Sequence, residues 1–307
     1  MKPECVSEQM LFNTVRLTAS NGSCGTGSYF NFQANGKTFP TIITNKHVIN
    51  NNPDEEMTFF VHLAEKDGST EESYRVTYKA KWIFHPTHDL AFCFAAPLFN
   101  AVKQITGKDV FYIRNDMSIL ATDEKLKDVR AVEEVTMVGY PVGLWDEVNN
   151  LPIFRHGYTA SHPAYDFNNP GVGLVDMACF PRSSGSPIYI LNEGSYQDKH
   201  GSMSVGVSRV IFLGILFAGP EYTATGKLQI RDVPTQMMVE PRTNIMTNLG
   251  YYIRAHELSA FQEIINGINH EPPFKRVVCS RPIRPRVTGS VSRRCPSLCS
   301  GRIALDS

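Results

Sequence analysis

Short apolar runs broken by turn residues dominate the chain from about residue 15 to residue 253. The runs are rich in β-branched and aromatic residues, which is typical of a β-barrel or β-sandwich protein. Turn signals such as Asn35-Gly36 stand between them, where hairpins need positive φ. Ten runs are predicted as strands, over residues 26–33, 38–44, 57–63, 78–84, 90–95, 135–139, 153–159, 187–190, 205–217 and 227–231.

Helical patterns are scarce and the last forty residues have a different character. Residues 97–105 predict one short helix, and apolar residues at helical spacing predict another over 255–265. Beyond residue 268 the chain is rich in Pro, Ser and cations, with acidic residues only at Glu271 and Asp306. Such a segment cannot bury enough apolar surface to order itself. We therefore expect a basic disordered tail over 269–307.

Composition places the chain among ordinary globular proteins. Thirty basic and thirty acidic residues give no net charge that would attract nucleic acid or an anionic membrane. The first twenty residues lack the apolar core of a signal peptide, and the longest apolar stretch, 210–218, is about half of a bilayer span. Seven cysteines without regular spacing predict reduced thiols. We expect a cytoplasmic protein without a membrane segment.

Three segments carry candidate chemistry. His47 follows an apolar strand, and Asp89 stands directly before another, where a buried carboxylate can orient an imidazole. Ser184 lies in a turn of small residues before a strand, so its hydroxyl would stand at a bend beside backbone N–H groups that can stabilise an oxyanion. Taken singly, each has an ordinary alternative as a surface histidine, a strand-end aspartate or a serine-rich turn.

Together the three segments resemble the trypsin-like (chymotrypsin-fold) serine peptidases. The order is His, Asp, Ser at separations of 42 and 95 residues, which differs from the orders in subtilisin and the α/β-hydrolases. Residues 44–48 are most similar to the bacterial branch that includes glutamyl endopeptidases and HtrA-type proteases. Residues 25–28 and 214–219 fall where the family has its entry strand and its substrate-pairing strand. The resemblance covers about residues 15–265.

The resemblance implies an all-β fold of two six-stranded antiparallel β-barrels with a short C-terminal helix. The peptidase domain would span residues 1–268, with the first barrel at about 13–97, the second at about 130–253 and the helix at about 255–266. The implied activity is that of a serine endopeptidase acting on protein or peptide substrates through an acyl-enzyme, with no cofactor and no metal.

The family's roles transfer to named residues here. Ser184 Oγ would attack the scissile carbonyl, His47 would move its proton, and Asp89 would fix the imidazole. The oxyanion hole would use the backbone N–H groups of Ser184 and Arg182. The family has Gly at the position of Arg182. A non-Gly residue there resists the backbone conformation that the hole requires, so we expect an unformed hole or a slow enzyme.

The resemblance also implies a specificity pocket. Ala178, six residues before the nucleophile, would form its floor and Ala218 part of its wall, and Phe217 and Gly219 would also bind substrate. The expectation is a small or apolar pocket with no preference for Lys or Arg. Asp176 would change this if the strand register slipped by two residues.

Other functions remain open on the residues alone. One alternative is a catalytically silent, protease-like binding module, which would use its cleft or tail to recruit a protein while Arg182 keeps the site silent. The peptidase hypothesis also allows a regulatory protein partner. Residues 85–89 form a weak candidate metal cluster, and Cys279, Cys295 and Cys299 form an incomplete zinc set. Nucleic acid is not expected as a partner except through the basic tail.

Overall fold

Most strands of the N-terminal half belong to one curved sheet. The computed structural model describes residues 1–141, 144–225, 242–268 and 291–292. The strands of the first sheet up to residue 116 are β1 Thr14–Ala19, β2 Cys24–Ala34, β3 Lys37–Thr44, β4 Glu56–Ala64, β5 Thr70–Lys79, β6 Trp82–Phe84, β7 Ala91–Phe94, β8 Val110–Phe111 and β9 Asn115–Asp116. Two of these, β8 and β9, extend the first sheet past residue 97, where the first barrel was expected to end.

Six strands of the C-terminal half close into a barrel. They are β10 Glu134–Gly139, β11 Ile153–Thr159, β12 Val172–Asp176, β13 Pro187–Asn192, β16 Arg209–Ala218 and β19 Leu249–Arg254, arranged in the closed order β10-β11-β12-β19-β16-β13. Two separate hairpins accompany the barrel: β14 Ser195–Gln197 with β15 Met203–Val205, and β17 Glu221–Thr225 with β18 Arg242–Met246.

The first sheet follows an open path rather than a closed ring in the described residues. A final short strand, β20 Val291–Ser292, pairs with β5, and the order is β20-β5-β4-β1-β2-β3-β7-β6 with β8 against β4 and β9 against β2. Apart from β20, the predicted tail over 269–307 lies outside the described residues.

Four α-helices occur among the described residues: α1 Val6–Met10, α2 Ala96–Thr106, α3 Asp123–Leu126 and α4 Ser259–Ile268. Both predicted helices are present, as α2 and as a 3-10 turn Ala255–Leu258 that continues into α4. Phe261 and Ile265 of α4 are fully buried against the first sheet and the barrel. No helix in the described parts of the chain is long and apolar enough to cross a membrane.

The predicted all-β fold with a short C-terminal helix is confirmed, and two strand predictions need correction. The run 78–84 is split, because β5 pairs with β4 whereas β6 pairs with β7. The run 205–217 begins too early, because Val205 belongs to the β14–β15 hairpin and Gly206 turns the chain at a φ of 78° before β16 starts. The predicted strand 227–231 lies outside the described residues.

One apolar core is shared by the two sheets. Phe30 and Phe92 of the first sheet are fully buried in the same cluster as Tyr189 and Phe212 of the barrel. A second cluster fills the interior of the first sheet. Burial of this apolar area joins the sheets, so groups at the edges of the contact between them are held at fixed separations.

Candidate active site

The end of β3 places His47 near the contact between the sheets. Asn45 is fully buried, and its Nδ2 donates to the backbone carbonyl of Asp89 at 2.7 Å. His47 opens a 3-10 turn, His47–Ile49, and Asn50 follows in the left-handed conformation at a φ of 55°. Asn tolerates this conformation better than most residues. The chain therefore turns away after His47, whose imidazole remains exposed.

Asp89 binds His47 through both carboxylate oxygens. His47 Nδ1 lies 2.5 Å from Asp89 Oδ2, and the His47 backbone N–H donates to Asp89 Oδ1 at 3.2 Å. A carboxylate at Nδ1 favours the tautomer that carries its proton there, which leaves Nε2 as an unprotonated acceptor. The side chains are 43% and 30% exposed, so the pair remains accessible to solvent and to a bound molecule.

Two consecutive turns build the bend at Ser184. The Ser183 N–H donates to the Phe180 carbonyl at 3.2 Å, and the Ser186 N–H donates to the Ser183 carbonyl at 3.1 Å. The third residue of each turn has positive φ, with 71° at Arg182 and 86° at Gly185. Positive φ at this position is the requirement of a type II turn, which normally selects Gly or Asn.

Burial distinguishes the three neighbouring serines. Ser183 and Ser186 are each 1% exposed, and Ser186 Oγ donates to Thr26 Oγ1 at 3.1 Å. Ser184 is partly exposed. Of the three hydroxyls, that of Ser184 is therefore the one a bound molecule can reach.

Backbone contacts attach the Ser184 bend to the strand that also contacts the His47 turn. The Thr26 N–H donates to the Ser184 carbonyl at 2.9 Å. A Cβ on Gly25 would lie 2.6 Å from Val48 Cγ1 and 3.2 Å from the Ser184 carbonyl oxygen. The absence of a side chain on Gly25 therefore allows both Ser184 and Val48, the residue after His47, to approach β2 closely. No hydrogen bond joins His47 Nε2 to Ser184 Oγ in the described residues.

A cavity of about 130 Å³ opens beside Ser184. Polar and apolar groups line it in about equal measure, and the lining residues are Cys179, Phe180, Pro181, Arg182, Ser184, Leu216, Ala218 and Gly219. Two of the four predicted pocket residues, Ala218 and Gly219, thus line it, whereas Ala178 and Phe217 do not. Phe217 packs instead against Tyr251, with ring centroids 6.3 Å apart.

A cation lies behind the cavity wall. The guanidinium of Arg155, on β11, donates to the carbonyl of Ala178 and stacks over the Phe180 ring at 4.6 Å. Burial lowers the pKa of Arg155 and raises the pKa of the Cys179 thiol to about 12, so that thiol stays neutral. Asp176 is exposed at the end of β12 and does not line the cavity. No signal in the sequence singled out Arg155.

The two histidines before Asp89 both contact Glu257. His88 Nε2 lies 3.1 Å from Glu257 Oε2, and His85 Nε2 lies 3.1 Å from the Glu257 carbonyl oxygen. The described residues contain no group of three or more His, Cys, Asp or Glu that could hold a metal ion. The cysteines at 279, 295 and 299 lie outside the described residues. Glu257 was also missed by sequence reasoning.

No protein-family model and no curated protein matches the chain. Among solved structures, the fold is similar to an inactivated protease paralogue of the scabies mite, S-I1, with a TM-score of 0.38 and 11% identity over 84% of this chain and 96% of that one. It is also similar to HL collagenase, with a TM-score of 0.42 and 12% identity over 85% of this chain and 96% of that one. Both likenesses concern the fold.

Proposed function

We propose that this chain is a serine endopeptidase of the chymotrypsin type, with Ser184 as nucleophile, His47 as general base and Asp89 as the group that orients the imidazole. The observation that carries the proposal is the pairing of His47 with Asp89 through both carboxylate oxygens, at 2.5 and 3.2 Å. The partial exposure of Ser184, whose carbonyl accepts a hydrogen bond from strand β2, also supports the proposal.

The proposed reaction is acyl transfer to Ser184. His47 Nε2 accepts the hydroxyl proton as Ser184 Oγ bonds to the peptide carbonyl carbon, and it then donates that proton to the leaving amine. Water releases the acyl group by the same route in reverse. Asp89 keeps the proton of Nδ1 in place and stabilises the imidazolium, while the N–H groups of Arg182 and Ser184 would hold the oxyanion. In enzymes without bound substrate, catalytic hydrogen bonds are often long or poorly aligned and form fully only when substrate binds.

The cavity beside Ser184 favours small apolar side chains at the cleaved position. Its volume of about 130 Å³ suits an aliphatic group, and the Arg155 guanidinium behind Phe180 disfavours a substrate cation. Protein or peptide chains with such residues are the proposed substrates. A peptide library with every residue at that position tests this, and preferential cleavage after Lys or Arg would contradict it. The bacterial branch and the cytoplasmic location remain predictions from sequence.

A fluorophosphonate probe tests the proposed nucleophile directly. The full chain should be labelled at Ser184 and should cleave casein, and Ser184→Ala should lose both properties. Ser183→Ala is the matched control, because its hydroxyl is buried beside the same turn and should be dispensable for labelling. Absence of labelling in the folded wild-type chain would contradict the peptidase proposal and favour a protease-like binding module.

A further inference from the structure

The loop that carries Asp89 contains two imidazoles that turn towards the C-terminal helical segment. β6 and β7 pair Phe84 with Ala91, so residues 85–90 form the connection between them. The side chain of His85 is 2% exposed and that of His88 is 16% exposed. The proposed peptidase mechanism uses neither of them.

His85 forms several hydrogen bonds within this loop. Its Nδ1 accepts the N–H groups of Thr87 at 3.2 Å and His88 at 3.0 Å, and its own backbone N–H donates to the Leu90 carbonyl at 2.8 Å. An imidazole nitrogen that accepts cannot also carry a proton. Burial lowers the pKa of His85, which keeps the ring neutral with its proton on Nε2.

The same two histidines fasten the loop to the segment that leads into α4. His85 Nε2 donates to the Glu257 carbonyl at 3.1 Å, and His88 Nε2 lies 3.1 Å from Glu257 Oε2. His256 Nε2 lies 3.0 Å from the other carboxylate oxygen, Oε1. The Phe261 ring of α4 packs edge-on against His85 with centroids 5.4 Å apart, so the His85 imidazole is shielded from water.

We propose that His85, His88 and Glu257 form a brace that positions Asp89 for its contact with His47, which makes the C-terminal helical segment part of the active-site scaffold. This inference rests on the proposed function. Asp89 directly follows His88, and within the described residues its carbonyl and carboxylate bond to Asn45 and His47 on the other side of the loop. His85 touches no reacting atom, so it is a positioning residue.

Truncation of His85 should reduce turnover without weakening substrate binding. In His85→Ala the loop loses its internal acceptor and its bond to Glu257, so Asp89 can shift relative to His47. Misplacement by about 1 Å can cost on the order of 100-fold in rate. We expect kcat to fall by about ten- to a hundredfold with KM unchanged. If His85→Ala fails to fold, Glu257→Ala should show a smaller loss of the same kind.

Two asparagine variants separate positioning from general stability. In His85→Asn, the amide oxygen can accept the same N–H groups as Nδ1, as Asx turns do, but the bond to the Glu257 carbonyl is lost, so only part of the lost turnover should return. His162 is the matched control, because it also precedes a proline and its Nδ1 accepts the Ala164 N–H at 3.2 Å. It belongs to the loop between β11 and β12, and His162→Asn should leave kcat unchanged.

A double-mutant cycle and the NMR signal of the His47 Nδ1 proton complete the test. Because the brace acts through Asp89, His85→Ala should cause no further loss of kcat in an Asp89→Asn background. The downfield Nδ1–H signal should be lost in His85→Ala and kept in His162→Asn. An equal loss in both backgrounds, or an unchanged signal, would overturn the brace. A wild-type chain that keeps the signal but labels no serine would overturn the proposed function alone.

Discussion

The two halves of the candidate site are held by different kinds of contact. His47 and Asp89, on the first sheet, are fixed by side chains, through the imidazole–carboxylate pair and the amide of Asn45. Ser184, on the barrel side, is fixed by backbone, through two turns and the bonds from Thr26 N–H to the Ser184 carbonyl and from Gly185 N–H to the Leu216 carbonyl. The first half should therefore respond to side-chain chemistry and pH, and the second to backbone conformation.

The same contrast appears in where the histidines lie. On the first sheet, His62 and His85 are buried, and burial lowers the pKa of each. In the C-terminal half, His156, His200 and His256 are exposed. Protonation of His62 and His85 in acid should thus destabilise the first sheet, which carries His47 and Asp89.

The largest expected effect is a backbone one, at Gly185. A Cβ there would lie 1.9 Å from the Thr26 carbonyl oxygen at a φ of 86°, so Gly185→Ala should cost on the order of 4 kcal/mol of unfolding free energy and abolish labelling of Ser184. Gly194→Ala is the control, because its φ is 85° but no atom lies within 4 Å of the added carbon. It should cost about 1 kcal/mol. Equal losses in urea unfolding would show that contact with β2 does not fix the bend.

Acid unfolding tests the effect of these buried histidines through His62. This imidazole is buried, and desolvation lowers its pKa to about 4, while Nε2 lies 3.0 Å from the Asn150 carbonyl oxygen. Between pH 6.5 and 4 the unfolded chain binds a proton here that the folded chain does not, so stability falls as pH falls through this window. Below about pH 4 His62 is protonated in both the folded and the unfolded chain, and the stability does not fall further through this group. The free energy of unfolding lost across the window is about 3 kcal/mol.

His62→Gln keeps a donor for the Asn150 carbonyl but cannot be protonated. The unfolding free energy of this variant, measured by urea titration, should therefore depend less on pH between 6.5 and 4 than that of the wild type. An identical pH dependence in both proteins would place the acid-sensitive groups elsewhere.

Local patterns in the sequence predicted the strands that alternate clearly and the bend at Ser184. They missed most of β5, because its inward residues Tyr74 and Val76 stand among charged ones, and β12, because only five residues separate its turns. The presence of Arg182 where the family has Gly could be recognised only by comparison with the family pattern. Of the predicted pocket residues, Ala218 and Gly219 line the cavity beside Ser184, whereas Phe217 packs against Tyr251.

Contacts between distant segments left no local signal. Glu257 looked like any polar residue of a C-terminal helix, and its bond to His85 joins positions 172 residues apart. The residues 85–89 were recognisable as unusual, but composition could not tell a metal site from imidazoles that accept backbone N–H groups. Such roles depend on which segments the shared core brings together.

The smallest expected effect isolates the backbone cost at Arg182. A non-Gly residue at a φ of 71° pays about 1–2 kcal/mol for the left-handed conformation, and the turn before Ser184 requires it. Arg182→Gly and Arg182→Ala both remove the contacts of the Arg182 side chain. The difference between their free energies of unfolding therefore measures the cost of the left-handed backbone conformation alone. The Gly variant should be more stable than the Ala variant by about 1 kcal/mol in urea unfolding and should react faster with a fluorophosphonate probe. If the Ala variant matched it in both measurements, the backbone at Arg182 would be unstrained, and the bend at Ser184 would depend on side chains as the His47 half does.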